Sequence, residues 1–178
     1  MSVVTLPYNY SVNDVQFENT WTYDSGRPSF PEITTATVDT DMNMTINSYN
    51  EITNVINVTI YSQTNISRTA VATYLPPSFT YTAAPVFTIT RQDTATSSTV
   101  YSSSGSTDVG NGGASNIIFS STFNHTLPSN FLNRDWTIGF SVTVSEVNTS
   151  RSDSGSSTSG AILIPKAVGN AIFFGMNF

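Results

Sequence analysis

The sequence has no cysteine and a single histidine, and only 10 % of its 178 residues are charged. Without cysteine the chain has no disulfide, no thiolate nucleophile and no cysteine-ligated zinc. One histidine cannot fill the three protein positions of a usual zinc site without help from carboxylates. These absences exclude several common kinds of site before any motif is considered.

Basic side chains are scarce, with six Lys and Arg against twelve Asp and Glu and a net charge of −6. They occur singly along the chain, as Arg27, Arg68, Arg91, Arg134, Arg151 and Lys166. Since phosphate neutralisation needs clustered Lys and Arg, we expect no direct nucleic-acid partner.

Long hydrophobic runs are also missing. The longest, at 161–165 and 171–174, fall far short of the roughly 20 residues of a spanning helix, so we expect no membrane span. The first dozen residues have neither the basic nor the apolar region of a signal peptide.

Hydroxyl and amide residues replace the missing charge: the chain has 26 Ser, 27 Thr and 17 Asn. Helix-forming patterns are nearly absent, whereas alternation of apolar and polar residues recurs throughout. Ile56, Val58 and Ile60 alternate with Asn57, Thr59 and Tyr61. Such alternation predicts strands at 2–6, 15–23, 34–47, 54–64, 67–74, 79–91, 97–101, 116–123, 137–147 and 160–178.

These strands predict a single all-β domain over 1–178, an antiparallel two-sheet sandwich that is jelly-roll-like, with about 8–10 strands. Two Ser/Gly-rich segments, 102–115 and 148–160, are expected to be flexible loops. Residues 1–13 are a candidate extended or exchanged arm. The apolar segment 167–178 is expected to be a core strand, with an inter-subunit strand as the alternative. Trp21 and Trp136 are expected in the core.

No catalytic or cofactor-binding pattern is recognisable, so we expect no enzyme and no cofactor. A Ser-His-Asp triad would need His125, with Asp135 as the candidate acid, but no nucleophile-elbow pattern is present. Asp39 and Asp41, on one side of a strand, or Asp108 in a Gly-rich segment, are candidate calcium ligands. Neither has the full register of a calcium loop, and we expect solvated carboxylates there rather than a metal site.

Six Asn-x-Ser/Thr sites are candidate N-glycosylation positions: Asn9, Asn43, Asn57, Asn65, Asn124 and Asn148. Because about 30 % of the residues are Ser or Thr, 17 Asn would give about five such sites by chance. Their number alone therefore does not indicate a glycoprotein.

The combination of Ser/Thr/Asn-rich strands, no Cys and scarce Lys resembles the small single jelly-roll coat and vertex proteins of viruses, particularly those of hot acid-dwelling archaea. The resemblance implies a structural, self-assembling sandwich in a virion, with copies of itself and other particle subunits as partners. Many small RNA-virus coats carry a basic N-terminal arm, whereas residues 1–13 contain no basic residue.

Extracellular filament subunits, such as archaeal threads and donor-strand pili, share this composition and are the first alternative. A sandwich that binds host-surface glycans is the second. All three classes place the protein in a virion or outside the cell.

Overall fold

The computed structural model describes residues 2–12, 21–24, 33–71, 78–147 and 151–166, and these residues form two β-sheets. Sheet A contains β1 (Ser2–Val3), β6 (Ser78–Arg91), β7 (Thr96–Ser102), β8 (Gly105–Gly110), β10 (Asp135–Glu146), β11 (Arg151–Thr158) and β12 (Ile162–Leu163). Sheet B contains β2 (Tyr8–Val12), β3 (Trp21–Asp24), β4 (Ile33–Asn50), β5 (Val55–Val71) and β9 (Ala114–Thr126). The two sheets pack face to face, which confirms the predicted all-β sandwich.

Each sheet is built on a pair of long antiparallel strands, β4 with β5 in sheet B and β6 with β10 in sheet A. Shorter strands share a long neighbour. β2 and β3 both pair with β4, β7 and β8 with β6, and β11 and β12 with β10. β9 pairs with β5, and β1 adds one parallel pair beside β12. The described residues contain twelve strands because two short strands, instead of one long strand, lie along one side of each of β4, β6 and β10.

The core lies between the sheets and follows the predicted alternation. Ile56, Val58 and Ile60 of β5 are fully buried, as are the apolar even-numbered residues of β10. Burying each such side chain stabilises the fold by about 1.5–3 kcal/mol relative to leaving it exposed. The apolar period of two therefore accounts for both the strands and the side on which each sheet packs.

Trp136 is buried in this core, as predicted. Its indole Nε1 donates a hydrogen bond to the Phe131 carbonyl at 3.0 Å, and the two rings lie 5.2 Å apart. The connection between β9 and β10 is thereby fastened over one end of the sandwich. Trp21 belongs to β3, but its side chain lies outside the described part of the chain.

The prediction that 102–115 and 148–160 are loops is wrong over most of their described residues, and residues 148–150 lie outside the described part of the chain. The first contains β8, hydrogen-bonded to β6, and the second contains β11, hydrogen-bonded to β10. Local Ser/Gly composition disfavours strands, but the long neighbouring strands supply main-chain partners along both segments. Their hydroxyl side chains then cover the outward side of sheet A.

Both ends of the chain were singled out in the sequence. Residues 2–12 form β1 and β2 and pair within this chain's own sheets, while their exchange between subunits stays a prediction. The predicted strand at 160–178 is described only as far as residue 166, where it contains β12. The segment 167–178 lies outside the described residues.

Candidate functional site

The outward side of sheet B is rich in side-chain amides. We call it the amide face and define it by Asn9, Asn43, Asn47, Asn57, Gln63, Asn65, Asn116 and Asn124. Strand alternation places most of them together, because their neighbours in sequence point into the core, and the β-bulge between Ile46 and Ser48 adds Asn47 to the same side. Among the described side chains on this side, only Asp39 and Asp41 are charged.

Hydrogen bonds connect the amides from strand to strand. The Asn47 Nδ2 donates to the Asn57 Oδ1 at 2.9 Å, and the Asn57 Nδ2 donates to the Asn124 Oδ1 at 2.8 Å. The Thr59 and Thr122 hydroxyls share a hydrogen bond of 2.9 Å in the next row. A side-chain ladder thus crosses β4, β5 and β9.

A separate group of side-chain hydrogen bonds joins β4 to the short strand β2. The Asn9 Oδ1 accepts hydrogen bonds from the Asn43 Nδ2 at 2.7 Å and from the Thr45 hydroxyl at 3.2 Å. A second line runs along β5, where the Tyr61 hydroxyl donates to Gln63 and the Gln63 Nε2 donates to the Asn65 Oδ1 at 2.8 Å. The amide face is therefore ordered by its own side chains.

A shallow concavity of about 510 Å³ lies at one end of the amide face. Asp39, Asn65 and Asn116 belong to its lining, and the buried Ile66 contributes to its floor. The lining combines one carboxylate with amides and hydroxyls, and this chemistry suits neutral polar ligands.

The glycosylation sites predicted from the sequence gather on this face. Asn9, Asn43, Asn57, Asn65 and Asn124 all belong to it, and each is followed two residues later by a hydroxyl residue on the same side of its strand. Asn148 lies outside the described residues. The hydrogen bonds above engage the Nδ2 atoms of Asn43 and Asn57, the atoms to which a glycan would be attached. Glycosylation stays a prediction at all six sites.

The outward side of sheet A is different. The strands of sheet A contain no Asn or Gln, and their outward side chains are mostly Ser and Thr. Pairs of these hydroxyls bond across strands, as Thr82 does with Ser106 at 2.8 Å and Thr90 with Ser97 at 3.1 Å. The sandwich thus has two outer faces of low charge and distinct chemistry.

His125 lies on the inward side of the edge strand β9. Its Nε2 is 2.8 Å from the Ser98 Oγ of β7, so this pair connects the margins of the two sheets. Partial burial lowers the pKa of the imidazole below its ordinary value, because the charged form loses water. Within the described residues, no hydrogen bond joins His125 to Asp135. The hydrogen bond between His125 and Ser98 instead connects the two sheets.

The candidate calcium ligands lie on separate faces. Asp39 and Asp41 share the outward side of β4, while Asp108 accepts a hydrogen bond from the Thr80 hydroxyl at 2.6 Å on sheet A. Across the described ranges, no group of three or more His, Cys, Asp or Glu residues is placed to hold a metal ion.

A buried cation was not anticipated from the sequence. Arg68 of β5 is only 1 % exposed, and its Nη1 donates to the Val109 carbonyl at 3.2 Å. Glu146 and Tyr81, neighbours in sheet A, are buried as well. The Tyr81 phenol has its pKa raised to about 12, first by burial and then by the Glu146 charge, while Arg68 opposes the shift. One sequence signal was available, since Arg68 follows Ile66 at the spacing of two that marks the inward side.

Models of known protein families give no match to this chain, and neither do curated protein sequences. In the part of the chain that the structure describes, no helix is long and apolar enough to cross a membrane.

Proposed function

We propose that this protein is a structural, self-assembling subunit of a virion, acting as a coat, vertex, turret or decoration protein. The observation that carries the proposal is the contrast between its two outer faces. One side of the sandwich presents linked amides and the other presents hydroxyls. A subunit of a shell or turret needs two such distinguishable sides, one for each surface of the assembly.

The low charge of both faces supports close packing of many copies. Charged residues are depleted at the cores of protein interfaces because their desolvation is costly. On the amide face, the side-chain hydrogen bonds already satisfy many of the polar groups, so less is lost when water is displaced. Because few charges lie on these faces, assembly should depend little on salt concentration.

The experiment is to follow the purified full chain by light scattering and negative-stain electron microscopy as its concentration is raised at pH 7 and pH 4. Closed particles or flat arrays of regular subunits are the expected result. Long filaments that need residues 1–12 would instead favour the alternative of a donor-strand filament. A monomer at every concentration and pH would refute self-assembly.

A further inference from the structure

β9 is an edge strand of sheet B with unusual continuity. Its 13 residues all pair with β5, and the register shows no shift along this length. Within the described ranges, β5 is the only strand that pairs with it through main-chain hydrogen bonds. The opposite edge of β9 therefore presents a long row of main-chain donors and acceptors, which is a template for another strand.

The other edges are divided. The edge of sheet A beside β6 is formed by β7 and β8 in turn, and it is interrupted between them, next to Pro85. Along β10, it is broken between β11 and β12, where Ser159 donates its N–H to the Ile138 carbonyl. β2 and β3 cover separate stretches of β4. Short, interrupted edges resist pairing with other chains, and β9 lacks this protection.

The sequence of β9 also lacks the residues that usually keep an edge strand from pairing with another chain. Residues 114–126 contain no Pro, no Gly and no formally charged residue, with His125 as the single titratable group. Their outward side chains are exposed, including Ile118 at 51 %. If a second β9 lay antiparallel beside the first, no like charges would face each other and Ile118 would lose water contact.

β9 is also held firmly from the inside. Besides the contact of His125 with Ser98, the Ser115 and Thr107 hydroxyls are 2.7 Å apart, and the rings of Phe123 and Tyr101 are 5.9 Å apart. These contacts with β7 and β8 hold both ends of the strand. A pre-ordered strand loses little entropy when it pairs.

We propose that β9 pairs antiparallel with β9 of a second copy about a two-fold axis, joining two copies of sheet B into one continuous sheet. The axis is perpendicular to the sheet, so both amide faces lie on the same side of the dimer. This inference rests on the proposed self-assembly and identifies one contact between its subunits.

The test compares Ser120→Lys on β9 with Ser156→Lys on β11. Both serines are exposed, outward-facing and on edge strands. Sedimentation velocity should show Ser120→Lys weakening self-association about tenfold or more, because like charges meet across the two-fold axis. Ser156→Lys should associate like the wild type. An equimolar mixture of Ser120→Lys and Ser120→Glu should recover the dimer, which a misfolded variant would not do.

Hydrogen exchange of the wild-type chain supplies a measurement independent of the register. Exchange over 114–126 should slow as the protein concentration rises into the associated range. If the protein assembles while exchange over 114–126 stays unchanged and Ser120→Lys associates like the wild type, the β9 contact is wrong and self-assembly stands. If the chain stays monomeric, both proposals fail together.

Discussion

The guanidinium carbon of Arg68 lies 4.0 Å from the ring centroid of Phe79, so a buried cation of sheet B rests on an aromatic ring of sheet A. The same side chain donates to the Val109 carbonyl, also in sheet A. In a desolvated setting a cation over a ring contributes about 2 kcal/mol, and a hydrogen bond from a charged donor about 1.5–3 kcal/mol. Arg68 thus makes polar contacts across the apolar interface between the two sheets.

Replacing Arg68 by Ala should lower the free energy of unfolding by about 3 kcal/mol, because both contacts are lost and a buried carbonyl loses a donor. Arg68→Lys should lose less, since it keeps the charge without the planar group. Urea denaturation followed by tryptophan fluorescence measures both. Arg91→Ala is the control, because Arg91 pairs with Asp93 at the surface and its loss should be much smaller. Equal effects of Arg68→Ala and Arg91→Ala would contradict this role.

Alkaline pH should weaken the fold through Tyr81. Its pKa is raised to about 12 in the folded chain, mainly by burial, from about 10 when unfolded. The folded state therefore holds the proton more tightly, and stability present below pH 10 is lost as the pH rises towards 12. The urea midpoint of the wild type should fall faster between pH 9.5 and 11.5, as approximate limits of that window, than the midpoint of Tyr81→Phe. Parallel curves for the two proteins would exclude the effect.

His125 should make the fold less stable at acidic pH. Burial lowers its pKa, so the unfolded chain takes up the proton first and stability is lost as the pH falls below about 6.5. As the only histidine, it gives a single set of imidazole signals in a proton NMR titration. The midpoint should lie below the ordinary value, and denaturing the protein in urea should restore it. A midpoint at or above the ordinary value in the folded protein would contradict this effect of burial.

Gly139 should not tolerate a side chain. A Cβ at this position would lie 2.5 Å from the Thr88 Oγ1 on the neighbouring strand β6. Gly139→Ala should therefore cost about 1–3 kcal/mol, as overpacking does. Adding Thr88→Ala removes the obstructing hydroxyl, so the double variant should recover much of the loss in a mutant cycle.

Gly160→Ala is the matched control for that cycle, because nothing lies within 4 Å of its added Cβ. It should change the melting temperature little. Additive effects of Gly139→Ala and Thr88→Ala would mean that the loss has another origin, such as a change in the unfolded chain.

Much of the fold could be predicted because alternation is a local signal. Ile56 to Tyr61 and Ile138 to Val144 identify their buried sides by spacing alone. The strands β8 and β11 could not be predicted, since Gly and Ser carry no such signal. Those strands exist because β6 and β10 lie beside them, and pairing between distant segments is not written in the local composition.

The candidate site shows the same division. Spacing indicated that Asn57 points away from the core, but it did not reveal that Asn124 lies next to it. That contact depends on the register between β5 and β9, which are separated by three strands in the chain. The hydrogen bond of Ser98 with His125 also depends on how two sheets meet, so only the structure brings those residues together.

The position of β9 in the chain has a kinetic consequence. β4 and β5 are consecutive and form a hairpin from local contacts, whereas β5 gains β9 only after residue 126 has been made. At about 5–20 residues per second, a nascent chain exposes the free edge of β5 for several seconds. Crowded ribosomes would let such unfinished chains pair wrongly with one another. Slower translation of residues 72–126 lengthens this exposure, so it should lower the yield of correctly folded subunits.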